Sequence, residues 1–182
     1  MTKTKKNVQL SLLVALGIAL HVFETLLPAA QFIPVPGAKL GLANIVTLVT
    51  LVLIGYKEAL AVVLLRSFLG SLIGGTFLST TFFLSFAGAL SSGAVMGLVY
   101  CWAGGRLSLF GVSICGAVTH NVAQLFVAAL LIQQAGIFLY LPYLLFFALP
   151  TGYFTGIAAN LLLRINHNLG YLPDNGNNHY VV

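Results

Sequence analysis

The segment 58–78 reads EALAVVLLRSFLGSLIGGTFL, and a single arginine, Arg66, stands in its middle. Apart from Glu58 at its first position, the rest of the segment is uncharged. A guanidinium at the centre of a bilayer costs roughly 2.5 to 3.5 kcal/mol on an insertion scale, so it normally has a partner or a ligand. We therefore expect Arg66 to face protein or water and not lipid.

Two glycines follow Arg66 on the same helical face, Gly70 at i+4 and Gly74 at i+8. Such a face is small and cationic, and it can line a cavity. The alternative is an internal bridge to an acidic side chain, for which Glu24 and Glu58 are the candidates near predicted membrane segments.

The composition indicates an integral membrane protein. Of 182 residues, 59% are hydrophobic and 6% are charged, whereas about a quarter of a soluble domain is charged. The apolar segments, at roughly 20 residues each, are long enough to cross a bilayer as helices. We predict an all-α polytopic fold with a single six-helix transmembrane domain over 1–168 and a disordered cytoplasmic tail over 169–182. The predicted spans are about 8–27, 40–55, 58–78, 80–103, 109–133 and 137–164.

The basic residues that give the net charge of +5 lie mostly in loops, so they do not indicate nucleic-acid binding. Their distribution over the loops predicts the orientation in the membrane. With the N-terminus in the cytoplasm, Lys39 falls on the outer side. The inner side then receives Lys3, Lys5, Lys6, Lys57, Arg106 and Arg164. We therefore expect a multi-pass protein of the cell membrane, in contact with membrane lipid, with both termini cytoplasmic and the proline-rich loop 28–39 outside.

The first predicted span has two different faces when its positions are wound at 100° per residue. Gly17, His21 and Glu24 lie on one face. Ala15 and Ala19 lie on the other, in a small-x-x-x-small pattern that allows close helix approach. The pattern is compatible with internal packing or with docking of another helix.

Polar residues gather near the outer ends of the first two spans. Glu24 is compatible either with ligand contact or with an ion pair to Lys39. Asn44 supplies both a donor and an acceptor, so it can bind a ligand or join neighbouring helices.

The fifth predicted span carries THNVAQ at 119–124, in which His120 and Gln124 are i,i+4 neighbours. Asn121 points about 100° away from His120. Hydrogen-bonded core positions are the alternative, but three polar side chains within five residues favour binding. The serine-rich and glycine-rich fourth span indicates close packing, and Pro150 predicts a kink near Thr151.

Several catalytic motifs are missing from the sequence. No phosphate-binding Gly-x-x-x-x-Gly-Lys-[Ser/Thr] loop occurs, and Asp174 in the tail is the only aspartate. Diphosphate chemistry on magnesium would need clustered aspartates. The two cysteines, Cys101 and Cys115, lack metal-ligand spacing. We expect a binding protein and not an enzyme, with no cofactor, no metal and no catalytic residues.

Four stretches resemble one known family. They are GAKLGLANIVTL at 37–48, LRSFLGSL at 65–72, GTF at 75–77 and GAVTHNVAQL at 116–125. These stretches are similar to the bacterial Gx transporter family, often labelled heptaprenyl diphosphate synthase component I. That family is grouped with the substrate-binding S components of energy-coupling factor (ECF) transporters.

The resemblance implies a six-helix, vitamin-transporter-like subunit. It implies that Ala15 and Ala19 dock a membrane coupling protein, which works with ATPase subunits. It also implies a substrate pocket toward the outer side, lidded by the loop 28–39. The acidic motifs that prenyl synthesis requires are missing from this chain.

The leading hypothesis is an importer subunit that binds an anionic or polar small molecule, related to isoprenoid or quinone metabolism. The proposed binding residues are Glu24, Lys39, Asn44, Arg66, His120, Asn121 and Gln124. A second hypothesis is a membrane subunit that assists polyprenyl diphosphate synthesis, in which Arg66 and Lys39 hold a diphosphate. A third is a membrane scaffold of a redox or quinone pathway, which binds no small ligand.

Overall fold

The computed structural model describes residues 3–26, 41–103 and 107–168, and these residues form helices and short connections without a β-strand. The predicted all-α fold is confirmed for this part of the chain. The predicted loop 28–39, with Lys39, and the predicted tail 169–182 lie outside the described residues. The helices are α1 (Lys3–Leu26), α2 (Ala43–Leu53), α3 (Tyr56–Ile73), α4 (Thr80–Ala103), α5 (Leu109–Ile132) and α6 (Leu141–Asn168).

Four helical segments are long and apolar enough to cross a membrane, judged by length and composition: α1, α4, α5 and the segment Ala135–Ile165. The 11 residues of α2 extend only about 16 Å at 1.5 Å per residue. The 18 residues of α3 include three charged side chains, Lys57, Glu58 and Arg66. Membrane crossing by all six helices therefore stays a prediction.

Several predicted helix boundaries differ from the structure: α1 begins at Lys3 and not near 8, and α6 ends at Asn168 and not near 164. The third helix ends at Ile73 and not near Leu78, because the chain turns at Gly75, whose φ of 66° lies in the left-handed region. The sixth begins at Leu141 and not near 137, because Ala135–Tyr140 forms a 3-10 helix first. Pro142 then occupies the first turn of α6, where a missing N–H is tolerated.

Helix α2 lies at the centre of the bundle and packs against α1, α3, α4 and α6. All residues from 43 to 51 are buried. The second half of α2 joins an apolar core with α4, α5 and α6, which includes Leu48, Met96, Val112 and Leu163. Its first half carries Asn44 and is the polar end of the interior. The first turn of α2 therefore brings a polar side chain into the interior.

Helix α1 has the two faces that its sequence predicts. Gly17, His21 and Glu24 are its buried residues. Ala15 and Ala19 are exposed on the opposite side. The split between the faces is confirmed, whereas the docking role of the exposed alanines stays a prediction.

Glycines allow α5 and α6 to approach closely. A Cβ atom added to Gly152 would lie 2.8 Å from Cα of Ile114, and one added to Gly156 would lie 3.0 Å from Cα of Phe110. The Gly152-x-x-x-Gly156 spacing thus brings the backbones of two helices together, as small-x-x-x-small pairs do in membranes.

We predict that Gly152→Ala destabilises the protein by about 1 to 3 kcal/mol, because the new methyl group meets backbone that cannot move aside locally. Thermal unfolding of the detergent-purified protein measures the effect. Gly136→Ala is the matched control, since a Cβ at Gly136 meets no atom within 4 Å. Equal unfolding temperatures for the two variants would contradict the close packing of α5 and α6.

Candidate functional site

A hydrogen bond inside the bundle joins Arg66 to Asn44. The Arg66 side chain on α3 is only 2% exposed, and its Nη2 donates to Asn44 Oδ1 on α2 at 2.9 Å. The Ser92 hydroxyl on α4 lies 3.4 Å from the same oxygen and 3.1 Å from the Ala89 carbonyl, so its single proton is shared. The Asn44 side chain therefore connects three helices at one point.

The surroundings of Arg66 explain how its charge is accommodated. Gly17 on α1 makes room for the arginine stem, because a Cβ there would lie 3.2 Å from Arg66 Cδ. Coulombic attraction to Glu24 offsets part of the desolvation of the guanidinium. Glu58, the other acidic candidate, instead pairs with Lys6. Of the two alternatives for an internal bridge, Glu24 is thus the acid that stabilises the charge of Arg66.

The carboxylate of Glu24 caps the N-terminus of α2. Its Oε1 accepts hydrogen bonds from the backbone N–H groups of Gly41 and Leu42, the latter at 3.2 Å. These two residues immediately precede Ala43, the first residue of α2, and a negative charge at the N-terminal end of a helix is favourable. Glu24 therefore has a structural role that was not predicted from the sequence, and its predicted pairing with Lys39 lies outside the described residues.

A small cavity of about 10 Å³ lies beside this network, with room for roughly one water molecule. Gly41 and Asn44 contribute one wall, and Thr151 and Thr155 of α6 contribute another. The wall from α5 consists of Ser113, Ala117, His120 and Asn121. The structure thus brings three of the predicted binding residues, on α2 and α5, to one polar cavity.

The position of His120 depends on a glycine of the neighbouring helix. A Cβ added to Gly88 on α4 would lie 2.9 Å from His120 Cε1 and 2.9 Å from Gln124 Cγ. Both side chains are buried. His21 on α1 lies in the same way against Gly70 on α3, where an added Cβ would be 2.7 Å from its ring. Gly70 thus accommodates a histidine and not a ligand.

Asn121 is oriented by the sixth helix. Its Nδ2 donates to the Leu144 carbonyl of α6 at 3.0 Å. Within the part of the chain that the structure describes, no group of three or more His, Cys, Asp or Glu side chains is placed to hold a metal ion. The lining side chains that can form hydrogen bonds include the imidazole of His120.

The predicted site residues divide into three groups. Asn44, His120 and Asn121 line the cavity, while Arg66 is connected to it through Asn44. Glu24 and Gln124 are buried beside the lining residues. Sequence reasoning missed the polar groups of α4 and α6, namely Ser92, Thr151 and Thr155. The i,i+4 spacing of the two threonines, which places both on one face, is the signal that could have revealed them.

A bundle of apolar helices that encloses a network of buried polar side chains defines a helical membrane protein with a polar interior site. The chain belongs to the heptaprenyl diphosphate synthase component I family, whose family model matches residues 13–162. The resemblance found in the four sequence stretches is confirmed at the level of this family. No curated protein and no solved structure is significantly similar to the chain.

We predict that Glu24→Ala lowers stability by about 1 to 3 kcal/mol, because two backbone N–H groups at the start of α2 lose their acceptor. Glu24→Gln, which keeps one carbonyl oxygen, loses less. Thermal unfolding in detergent measures both changes.

The control is Glu58→Ala. Glu58 is the other acidic residue that the structure describes, and its carboxylate forms a partly exposed pair with Lys6. Such pairs contribute about 0 to 1 kcal/mol. A Glu24→Ala variant as stable as Glu58→Ala would contradict the capping role.

Proposed function

We propose that the chain is the substrate-binding subunit, or S component, of an ECF-type importer in the cell membrane. In this proposal six helices cross the membrane and both termini are cytoplasmic. The ligand is an anionic or polar small molecule related to isoprenoid or quinone metabolism, and it enters from the outer side. A coupling protein and ATPase subunits drive its release.

The observation that carries the proposal is a set of buried polar side chains, in which Arg66 is bonded to Asn44 and His120 lines the same cavity as Asn44. Polar and ionisable side chains inside membrane helices are costly, and they commonly mark a binding site or a transport path. The sequence has no phosphate loop and no aspartate cluster. These features favour a subunit that binds its ligand and depends on a partner for energy.

The exposed face of α1 supports a partner within the membrane. Ala15 and Ala19 present small side chains to the outside, while the opposite face of the helix packs against α2 and α3. Small residues let a second helix approach closely. The docking face is therefore assigned to the side of α1 that points away from the buried polar residues.

The family name favours a second candidate function, a membrane subunit that assists heptaprenyl or other polyprenyl diphosphate synthesis. Arg66 and Lys39 would then hold a diphosphate. The partner distinguishes the two candidates, since a soluble synthase with aspartate clusters belongs to this function and ATPase subunits belong to the importer.

We predict that the double variant Ala15→Leu, Ala19→Leu loses its partners during gentle affinity purification from native membranes. Overfilling a close helix contact costs about 1 to 3 kcal/mol, so we expect the amount of bound coupling protein and ATPase to fall at least about fivefold. Mass spectrometry identifies and quantifies the partners.

The control is Val122→Phe, which adds bulk at an exposed position of α5. It should leave partner binding unchanged. Recovery of a soluble synthase in place of ATPase subunits would favour the second candidate, and equal recovery from both variants would remove α1 as the docking face.

We predict that Arg66→Ala and His120→Ala each reduce the small molecule retained after gentle purification at least about tenfold, because each removes a polar group from the network. Mass spectrometry of the extracted protein measures retention. Arg164→Ala, at an exposed arginine of α6, is the control. Retention equal to that of the parent in both site variants would place the ligand elsewhere.

A further inference from the structure

The hydrogen bonds of Asn44 fix which atom of its amide is available to the cavity. Oδ1 accepts from Arg66 Nη2 at 2.9 Å and is near the Ser92 hydroxyl. An asparagine amide has one acceptor oxygen and one donor nitrogen, so Nδ2 remains as the donor. Nδ2 lies toward Gly41, which also lines the cavity, because a Cβ on Gly41 would be 3.3 Å from it.

The opposite walls supply acceptors. Asn121 uses Nδ2 to donate to the Leu144 carbonyl, which leaves its Oδ1 as an acceptor. The Thr151 hydroxyl directs its single proton to the carbonyls of Phe147 and Ala148, at 2.9 and 3.2 Å, so toward the cavity it can only accept. The walls from α5 and α6 therefore complement the donor on α2.

Ser113 is the lining residue that most directly indicates a ligand. Its side chain is 2% exposed, and Oγ has no hydrogen-bond partner among the described residues. A buried hydroxyl without a partner is unfavourable, because it has lost its hydrogen bonds to water. A bound group with its own hydrogen-bonding atom would remove that cost.

The charge and size of the cavity restrict the group that can occupy it. His120 is the only titratable side chain among the described lining residues, and Asn44 is the lining residue bonded to Arg66. The volume of about 10 Å³ suits one heavy atom with its hydrogens. A carboxylate or phosphate brings several oxygens and a charge that needs a cationic partner. A hydroxyl has a single heavy atom, which both donates and accepts.

We propose that this cavity binds an uncharged hydroxyl group of the ligand, with Asn44 as the donor and Asn121 and Ser113 as further hydrogen-bonding partners. Arg66 is a positioning residue, which acts on the ligand by orienting the Asn44 amide. This inference rests on the proposed binding function. It narrows the class of ligand from anionic or polar small molecules to alcohols.

The test compares two probes with the same two-carbon frame, ethanol and acetate. Their binding to the full chain in lipid nanodiscs is measured by saturation-transfer NMR, with empty nanodiscs as background. We expect the parent protein to bind ethanol and to give no acetate signal above background. Ser113→Ala should weaken ethanol binding about fivefold, as expected for one hydrogen bond.

Ser67→Ala is the matched control. Ser67 is also a buried helical serine whose Oγ has no hydrogen-bond partner among the described residues, and the structure places it away from the cavity lining. Ethanol binding to Ser67→Ala should equal that of the parent. Because each of these two substitutions removes only an unpaired hydroxyl, both proteins should fold.

The positioning role of Arg66 has a separate readout. Arg66→Gln should weaken ethanol binding in the parent, because the Asn44 amide loses the donor that orients it. In the Asn44→Ala background the same substitution should have no further effect on ethanol binding, whereas a merely structural role of Arg66 would weaken binding in both backgrounds.

Three results would overturn the proposal: acetate binding by the parent at least as strong as ethanol binding, no probe signal above empty nanodiscs, or equal effects of Ser113→Ala and Ser67→Ala. None of them bears on partner recovery from native membranes. Loss of the alcohol site and failure of the importer function are thus distinguishable.

Discussion

A buried guanidinium must be satisfied inside an apolar bundle, and the hydrogen bond from Arg66 to Asn44 does so at 2.9 Å. The two residues lie 22 positions apart in the sequence, so the bond is a tertiary contact between α2 and α3. Ser92 extends the contact to α4. Removing one partner of such a pair is far more costly than its net contribution to stability, because the other partner is left buried and unpaired.

Helix α2 depends on the same set of interactions. Its 11 residues are too few to form an independently stable helix in water, and its buried surface must be matched by neighbours on several sides. Glu24 on α1 accepts from the backbone N–H groups immediately before α2, and the second half of α2 enters the apolar core beside Leu48 and Met96. The N-terminal end of α2 thus lies at the candidate binding site, and its C-terminal end lies in the apolar core.

Local pattern predicted the elements better than their contacts. The bounds of α4 match the predicted fourth span, and the 100° periodicity of α1 correctly separated Gly17 and His21 from Ala15. The end of α3 was missed because it depends on the backbone conformation of Gly75.

The candidate site was only partly predictable. Polar residues in apolar segments identified Asn44 and His120, but the cap that Glu24 places on α2 joins residues 17 and 18 positions apart and has no local signal.

The contact of His120 on α5 with Gly88 on α4 makes the position of the imidazole depend on how α4 is rotated. Rotation of α4 about its axis would turn Ala87 or Ala89 toward α5, and the added methyl group would displace the imidazole. A rotation of α4 would thus change the position of the titratable His120 ring on α5.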